Sequence, residues 1–356
     1  MSSLLSQTHA VPVSVDESLI VDGQPRYGRL SHLPLSINQA DFDYRSPYGQ
    51  SLPAWRKRLA FKEFQFISLQ SDHIMVGVAL VDLGWAGHGF FYIHDRISGE
   101  TFETHVTTPL GLGARLDLTP KKGRSRFDAG GLCVQLDQSS TGRRLKVEVD
   151  HKTVLSAWLD ERYVQPLALC SPTGANGWTY TQKSTALAVD GWLDWQEQRI
   201  VLGDGNAKTG TGKCQPWLAA TDDSCGFLRH ETAWHWLSVS VCLADGRRLG
   251  INLASGVNDS FGSENTIWVD GQPIELPPVL FHQVDQGLWQ LRSANDAIQL
   301  TVKTGWRRHE SVNARVVGSH FSQWVAMING QIKAPSGQVY VLAETMGLLE
   351  QHYARW

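Results

Sequence analysis

The chain has 356 residues, 42% of them hydrophobic and 19% charged, which excludes wholesale disorder and supplies enough apolar side chains for two ordinary domains or one large one. Thirty-two basic and 35 acidic residues are scattered along it for a net charge of -3, so no basic stripe exists to neutralise a phosphate backbone and no nucleic-acid partner is expected. Fourteen Trp, 12 Phe and 8 Tyr against 4 Met describe a core of flat, rigid rings, and 33 Gly suit many tight turns.

Met1 to Ile20 lacks the cationic start and apolar stretch of a secretory leader, and no apolar run approaches the length of a transmembrane segment. Cys133, Cys170, Cys214, Cys225 and Cys242 are odd in number and contain no CxxC, so neither a disulfide framework nor a zinc ribbon is indicated. A cytoplasmic protein is expected, with peripheral contact to a membrane left open. The first forty residues, with Pro12, Pro25 and Pro34, read as an extended arm.

Strands follow. Phe61–Leu69 alternates, Ile74–Asp82 is apolar on both faces, and Gly89–His94 comes after the turn Gly84–Gly87, a pattern of antiparallel hairpins in a covered sheet. Leu132–Leu136, Leu145–Val149 and Thr153–Trp158 continue at meander spacing. Gly177–Lys183, Leu187–Val189, a turn at Asp190-Gly191 and Trp192–Trp195 come next, then a glycine-rich stretch from Gly203 to Lys213. That stretch fails as a phosphate loop, because Ala207 stands where the first glycine belongs and Cys214 follows the lysine, and it is read as a connection. Trp234–Leu243, the Asp245-Gly246 turn and Arg248–Leu253 make the strongest hairpin signal. Beyond it, Thr266–Val269, Leu288–Leu291, Ile298–Thr304 and Val339–Leu342 read as strands, and Glu344–Tyr353 carries the only helical period.

Many strands and few helices predict an all-β fold: two lipocalin-like antiparallel barrels or curved sheets packed together around an apolar pocket. An N-terminal domain over residues 1–255 and a smaller C-terminal one over 256–356 are expected. No Gly-x-Ser-x-Gly elbow is present. His230 and His235 are five apart, which on a helix turns them about 140° away from each other, so no metal site is read there.

The densest set of chemically capable residues runs from Asp222 to Trp236. On a strand, Arg229, Glu231 and His235 share one face while His230, Thr232, Trp234 and Trp236 share the other, so one face carries acid, base and cation together. Desolvation in a pocket would move such groups toward neutral pKa values, whereas an Arg–Glu pair closing a barrel end explains them slightly better. Asp223 and Glu231 are the acid/base candidates, with His235 beside them and Arg229 and Lys183 as orienters of a polar end. Trp178, Tyr180, Trp234 and Trp236 are candidate stacking walls, and Asn252 and Glu264 candidate polar lining.

Lys62-Glu63-Phe64-Gln65, Gly177–Lys183, Arg229–Trp236 and Glu264–Gly271 together resemble the family called domain of unknown function 2804, over most of the chain from about residue 20 onward. More distantly, Trp234-x-Trp236 followed by Asp245-Gly246-Arg247 is similar to the two-barrel superfamily of carotenoid 1,2-hydratases and fungal Diels-Alder cyclases. That similarity implies an apolar polyene or terpenoid near two barrels. Asp222-Asp223-Ser224 replaces the Asp-x-Glu-Trp acid segment of the hydratases, so hydration chemistry does not carry over with the fold. The reading is a protein that binds a hydrophobic small molecule of isoprenoid or fatty-acyl type and catalyses cofactor-independent acid/base addition, isomerisation or cyclisation. A carrier or sensor without turnover, and a structural protein with a filled barrel, are the alternatives.

Overall fold

The computed structural model describes residues 17–203, 216–314 and 317–356. The expected glycine-rich connection at 204–213 and the first sixteen residues of the expected arm lie outside the described residues. Three short strands, β1 (Ile20–Val21), β2 (Gln24–Pro25) and β3 (Gly28–Arg29), precede one helix, α1 (Ala54–Ala60), which the sequence reading did not anticipate.

The first sheet comprises β4 (Phe61–Gln70), β5 (Ile74–Asp82), β6 (Ala86–Asp95), β7 (Thr101–Pro109), β8 (Ala114–Arg115), β9 (Gly123–Ala129), β10 (Leu132–Ser139), β11 (Gly142–Val149), β12 (Lys152–Asp160), β13 (Leu167–Thr173), β14 (Gly177–Trp195), β15 (Gln198–Leu202) and β16 (Leu218–Phe227). Its main path runs β7-β6-β5-β4-β16-β14-β12-β11-β10-β9-β8, with β13 and β15 pairing from β14 and β3 from β13. The second sheet comprises β17 (Glu231–Cys242), β18 (Arg248–Ser255), β19 (Thr266–Val269), β20 (Gln272–Glu275), β21 (Val279–Asp285), β22 (Leu288–Ser293), β23 (Ile298–Asn313), β24 (Gly318–Lys333) and β25 (Val339–Arg355), in the order β20-β19-β18-β17-β25-β24-β23-β22-β21. Both sheets are antiparallel and curl into half-barrels, and no ladder joins β7 to β8 among the described residues.

Period-two alternation builds each concave face. Val78, Phe91, Phe127, Leu145, Leu155 and Leu187 meet inside the first curl, and Leu237, Ile251, Leu291, Val302, Ile328 and Leu349 inside the second. Each such fully buried side chain contributes about 1.5–3 kcal/mol of apolar burial. The convex faces pack on each other through Met75, Ala79 and Tyr92 of the first sheet and Trp236, Val325 and Leu348 of the second. A third cluster seats Leu19, Leu30 and Phe42 of the N-terminal segment on Trp178, Tyr180 and Phe227.

Two expectations are corrected. Asp190-Gly191 is not a turn: β14 runs through it, and Gly191, at φ +135°, has no room for a Cβ, which would meet the Ser156 carbonyl oxygen at 2.1 Å across β12. Glu344–Tyr353 is strand, not helix: it pairs with β24 along one edge and, from Leu348 onward, with β17 along the other. The chain passes from one sheet to the other between Phe227 and Glu231, and β17 and β18 pair in the second sheet.

Candidate functional site

The convex faces do not meet everywhere. Between them lies a cavity of about 320 Å3, at the small end of the roughly 300–1,000 Å3 usual for small-molecule sites. Phe64, Phe66 and Phe90 wall it from the first sheet, and Trp234, Trp236 and Phe321 from the second. The cavity thus lies in the gap between the two half-barrels. Among the described residues no group of three or more His, Cys, Asp or Glu is placed to hold a metal ion.

Two polar constellations interrupt these rings. Lys183 on β14 stands directly across from Asp222 on β16, and its ammonium lies 2.8 Å from an Asp222 oxygen and 2.8 Å from an oxygen of Glu264, which arrives from the segment between β18 and β19. Burial alone would lower the Lys183 pKa, but the two carboxylates overcome it and hold the amine cationic. Burial raises the Glu264 carboxyl, against the pull of Lys183. Ser224 donates to Asp222 at 3.0 Å, and the Lys183 ammonium lies 5.5 Å from the Trp236 ring centre. Trp236 Nε1 donates to Asn252 Oδ1 at 2.7 Å, and Asn252 Nδ2 donates to the Glu264 carbonyl at 2.9 Å, which fixes both the indole and the acid-bearing segment.

The second constellation centres on Glu350 of β25. Trp234 Nε1 donates to Glu350 Oε1 at 2.8 Å and Gln323 Nε2 donates to Oε2 at 2.9 Å. Tyr92 of the first sheet donates its hydroxyl proton to Gln323 Oε1 at 2.7 Å, which sets the amide so that its NH2 faces Glu350. Burial, aided by the charge of Asp222, raises the Glu350 pKa to about 7 despite those two hydrogen bonds and the charge of Lys183. Beside it His352 lies against Trp234 with ring centres 4.2 Å apart and the planes tilted by 54°, and burial lowers its pKa to about 3, so it is neutral. At the far wall Arg308, fully buried, lies over Phe90 at 3.9 Å and pairs with Glu103 at 3.3 Å and with Glu310. Burial works to raise the Glu310 carboxyl, but His88 and Arg308 bring it down to about 2.

Of the residues singled out in the sequence, Lys183, Glu264, Trp234 and Trp236 line the cavity, and Asn252 stands behind Trp236. The others do not meet there. Asp223 points to the opposite side of β16, where Arg143 lies 2.5 Å away and also pairs with Glu161 at 2.8 Å. Glu231 is exposed at the start of β17, and Arg229 reaches Ser260 at 3.1 Å. His235 lies on the inner side of the second sheet, stacked on Phe281 with ring centres 5.5 Å apart, and burial lowers its pKa. Trp178 and Tyr180 pack in the N-terminal cluster. The even-numbered face of β17, not the odd one carrying Arg229, Glu231 and His235, faces the cavity. Sequence reasoning missed Glu350, Gln323, Tyr92 and Arg308. The Glu350 signal was present as an acid between Leu348-Leu349 and Gln351-His352, but a helical period hides its strand face.

An all-β chain of two curled sheets with a ring-walled gap between them defines the structural class. The chain belongs to the family described as domain of unknown function DUF2804, whose profile matches residues 43–356. No curated protein matches it. Among solved structures it is similar to kievitone hydratase from Nectria haematococca, with a TM-score of 0.43, 7% identity, and coverage of 82% of this chain and 88% of that one. It is also similar to an AttH candidate from Nitrosomonas europaea, with a TM-score of 0.45, 14% identity, and coverage of 82% and 91%. No helix among the described residues is long and apolar enough to cross a membrane.

Proposed function

We propose that the gap between the sheets binds an apolar small molecule and that Glu350 transfers protons to and from it, in a cofactor-independent addition, isomerisation or cyclisation. The observation that supports this reading is a single one: a carboxyl group in a ring-walled cavity whose pKa is raised to about 7. An acid poised there is half protonated near neutral pH, so the same group serves as general acid and, once ionised, as general base. Protonated Glu350 would give its proton to a double bond or a carbonyl oxygen of the ligand. Trp234, Trp236 and Phe66 would face the positive charge that develops, and their ring quadrupoles favour it. Trp234 and Gln323 would then hold the carboxylate while it waits to take a proton from a neighbouring carbon. Lys183 has no role as a free base, since two carboxylates hold its charge. The proposal keeps the protein in the cytoplasm, a reducing setting that suits the buried thiols of Cys170 and Cys225.

Native mass spectrometry of the purified chain, followed by solvent extraction, should reveal a co-purifying apolar compound. With that compound, Glu350→Gln should keep binding and lose about 10²–10⁴-fold in turnover. Full turnover in the variant would remove Glu350 from the chemistry, and binding without turnover in either protein would leave a carrier.

A further inference from the structure

We propose that the apolar molecule taken up between the sheets carries a protonated amine and that its ammonium head lies against Glu350; this deepens the binding function proposed above and rests on it. The charges in the cavity wall are out of balance. Among the described residues its cations are Lys183 and Arg308, and its acids are Asp222, Glu264, Glu310 and Glu350. The Arg308 end is closed, since Glu103 and Glu310 flank the guanidinium and His88 lies 3.4 Å from Glu310. The deficit falls at the other end. One ammonium, that of Lys183, serves both Asp222 and Glu264, and Asp259 adds its negative charge near Glu264. Glu350 lies within the fields of Asp222 and Lys183 but is paired with no cation among the described residues, and it accepts only from the neutral groups of Trp234 and Gln323.

Unpartnered acceptors stand in the same wall. Thr179, on the Lys183 face of β14, and Asn258, in the segment between β18 and β19 that carries Glu264, are 2% and 6% exposed. Thr179 Oγ1 and Asn258 Oδ1 have no hydrogen-bond partner among the described residues. Gln65 Oε1 has none either, but that amide donates to Asp223 on the opposite side of β16. Unpartnered donors are present too, at Trp85 Nε1 and Arg308 Nη1, so hydrogen bonding alone does not set the polarity of the head. Charge does. An ammonium brings the missing cation together with N–H donors, a carboxylate would add to the acidic excess, and an alcohol would leave the deficit standing. The rings favour the same choice: Trp234 and Trp236 offer faces that attract a cation, as the Lys183 ammonium already shows 5.5 Å from the Trp236 ring centre, while Phe64 and Phe66 would receive the hydrocarbon.

Calorimetric titration of the full chain with n-decylammonium, 1-decanol and decanoate, each below its micellar concentration, tests this. At pH 7 the amine should bind about tenfold or more tightly than the alcohol, and decanoate most weakly of the three. Proton linkage supplies a second readout. Burial raises the Glu350 carboxyl to about 7, and the ion pair needs its carboxylate, so amine binding should release about half a proton at pH 7 and weaken about tenfold from pH 8 to pH 6. Alcohol binding should show neither effect. In Glu350→Gln both effects should vanish and the amine should bind about as the alcohol does, more weakly but still measurably. Of the groups around Glu350, Lys183 is held cationic, His352 is neutral and burial raises Tyr92, while Glu264, His88 and the Arg308 cluster remain in the variant, so the difference between the two proteins isolates Glu350. Proton release or amine preference that survives in the variant would overturn the inference. Should the variant fail to fold, an amine affinity that stays flat from pH 8 to pH 6 in the natural sequence would do the same. Equal or tighter binding of 1-decanol or decanoate by the natural sequence would also overturn it and leave the binding function standing, whereas failure of all three chains to bind would overturn both.

Discussion

The concave interiors of the two half-barrels and the gap between their convex faces are both buried, yet they are made from different chemistry. Inside the curls, aliphatic and aromatic residues repeat every second position, and the buried charges on that side of the first sheet, Arg143 with Asp223 and Glu161, are paired with one another. In the gap, Lys183, Asp222, Glu264, Arg308, Glu310 and Glu350 stand among the rings. The interiors gain stability by removing apolar area from water, a contribution that needs no direction. The gap is held by paired charges, and pairs are fragile: removing both members is tolerated, whereas removing one strands the other in a low-dielectric site. Conservative changes of similar volume should therefore be mild in the interiors and severe in the gap.

The largest expected effect tests that contrast directly. Lys183→Met leaves Asp222 and Glu264 buried without their cation and should cost about 3–5 kcal/mol in unfolding free energy. Leu155→Met, an exchange of similar volume in the first interior, should cost less than about 1.5 kcal/mol. Denaturant melts of the two variants at pH 7 decide the matter, and comparable losses would break the distinction between the regions.

The same contrast explains what could be read from the sequence. Alternation in Phe61–Leu69 and in Leu132–Leu136 and the Asp245-Gly246 hairpin announce antiparallel sheets, because an interior-facing strand against solvent leaves a period-two trace. Strands that bury both faces erase that trace. In β17, Leu237 and Val239 go to the interior while Trp236, Ser238 and Ser240 go to the sheet interface, and all are buried, so alternation gives no sign of which side holds the site. The charged residues Arg229 and Glu231 stand out in the sequence, but they sit near the solvent-exposed start of that strand, away from the cavity. Asp222 and Asp223 show the same limit: adjacent residues point to opposite sides of β16, one onto Lys183 and the other onto Arg143. Lys183, Glu264, Trp234 and Trp236 were legible as residue types, but their meeting depends on the long-range apposition of two sheets, which local pattern does not encode.

A second, smaller effect sharpens the comparison through pH. The Glu350 carboxyl has a pKa of about 7 in the folded chain against an ordinary 4.5, so between those values the folded state holds a proton that the unfolded state has released. The contribution is fully favourable below pH 4.5 and is lost as pH rises through 7, a fall of about 3 kcal/mol in all. Glu350→Gln should lack this fall, so its stability relative to the natural sequence should improve between pH 5 and pH 8. Gln places an amide donor opposite either Trp234 Nε1 or Gln323 Nε2, which takes back part of the gain at every pH but leaves the pH difference intact. Burial raises Glu63 to about 7 as well, but that group titrates in both proteins and cancels from the difference. A stability difference that stays constant with pH would mean that Glu350 titrates as an ordinary carboxylate, and the proposed proton transfer would lose its support.

The finest comparison uses two glycines, one in each region. At Gly89, on the interior side of β6, a Cβ would come within 2.5 Å of the Phe127 ring; at Gly77, on the convex side of β5, it would come within 2.3 Å of the Tyr92 ring. Either Gly→Ala change forces a packed ring to shift and should cost about 1–3 kcal/mol. Only one of them should reach the site. Displacing Tyr92 removes the hydrogen bond that orients Gln323, and an amide free to rotate donates less to Glu350, so the carboxyl should titrate at a still higher pH. In Gly89→Ala the melts at successive pH values should run parallel to those of the natural sequence, because Phe127 touches no part of the Glu350 network. In Gly77→Ala the pH-dependent step should move upward even when the overall loss of stability is the same. If the two variants show the same step, Tyr92 is packing rather than an orienting group, and the pKa of Glu350 is set by burial and by its contacts within the second sheet.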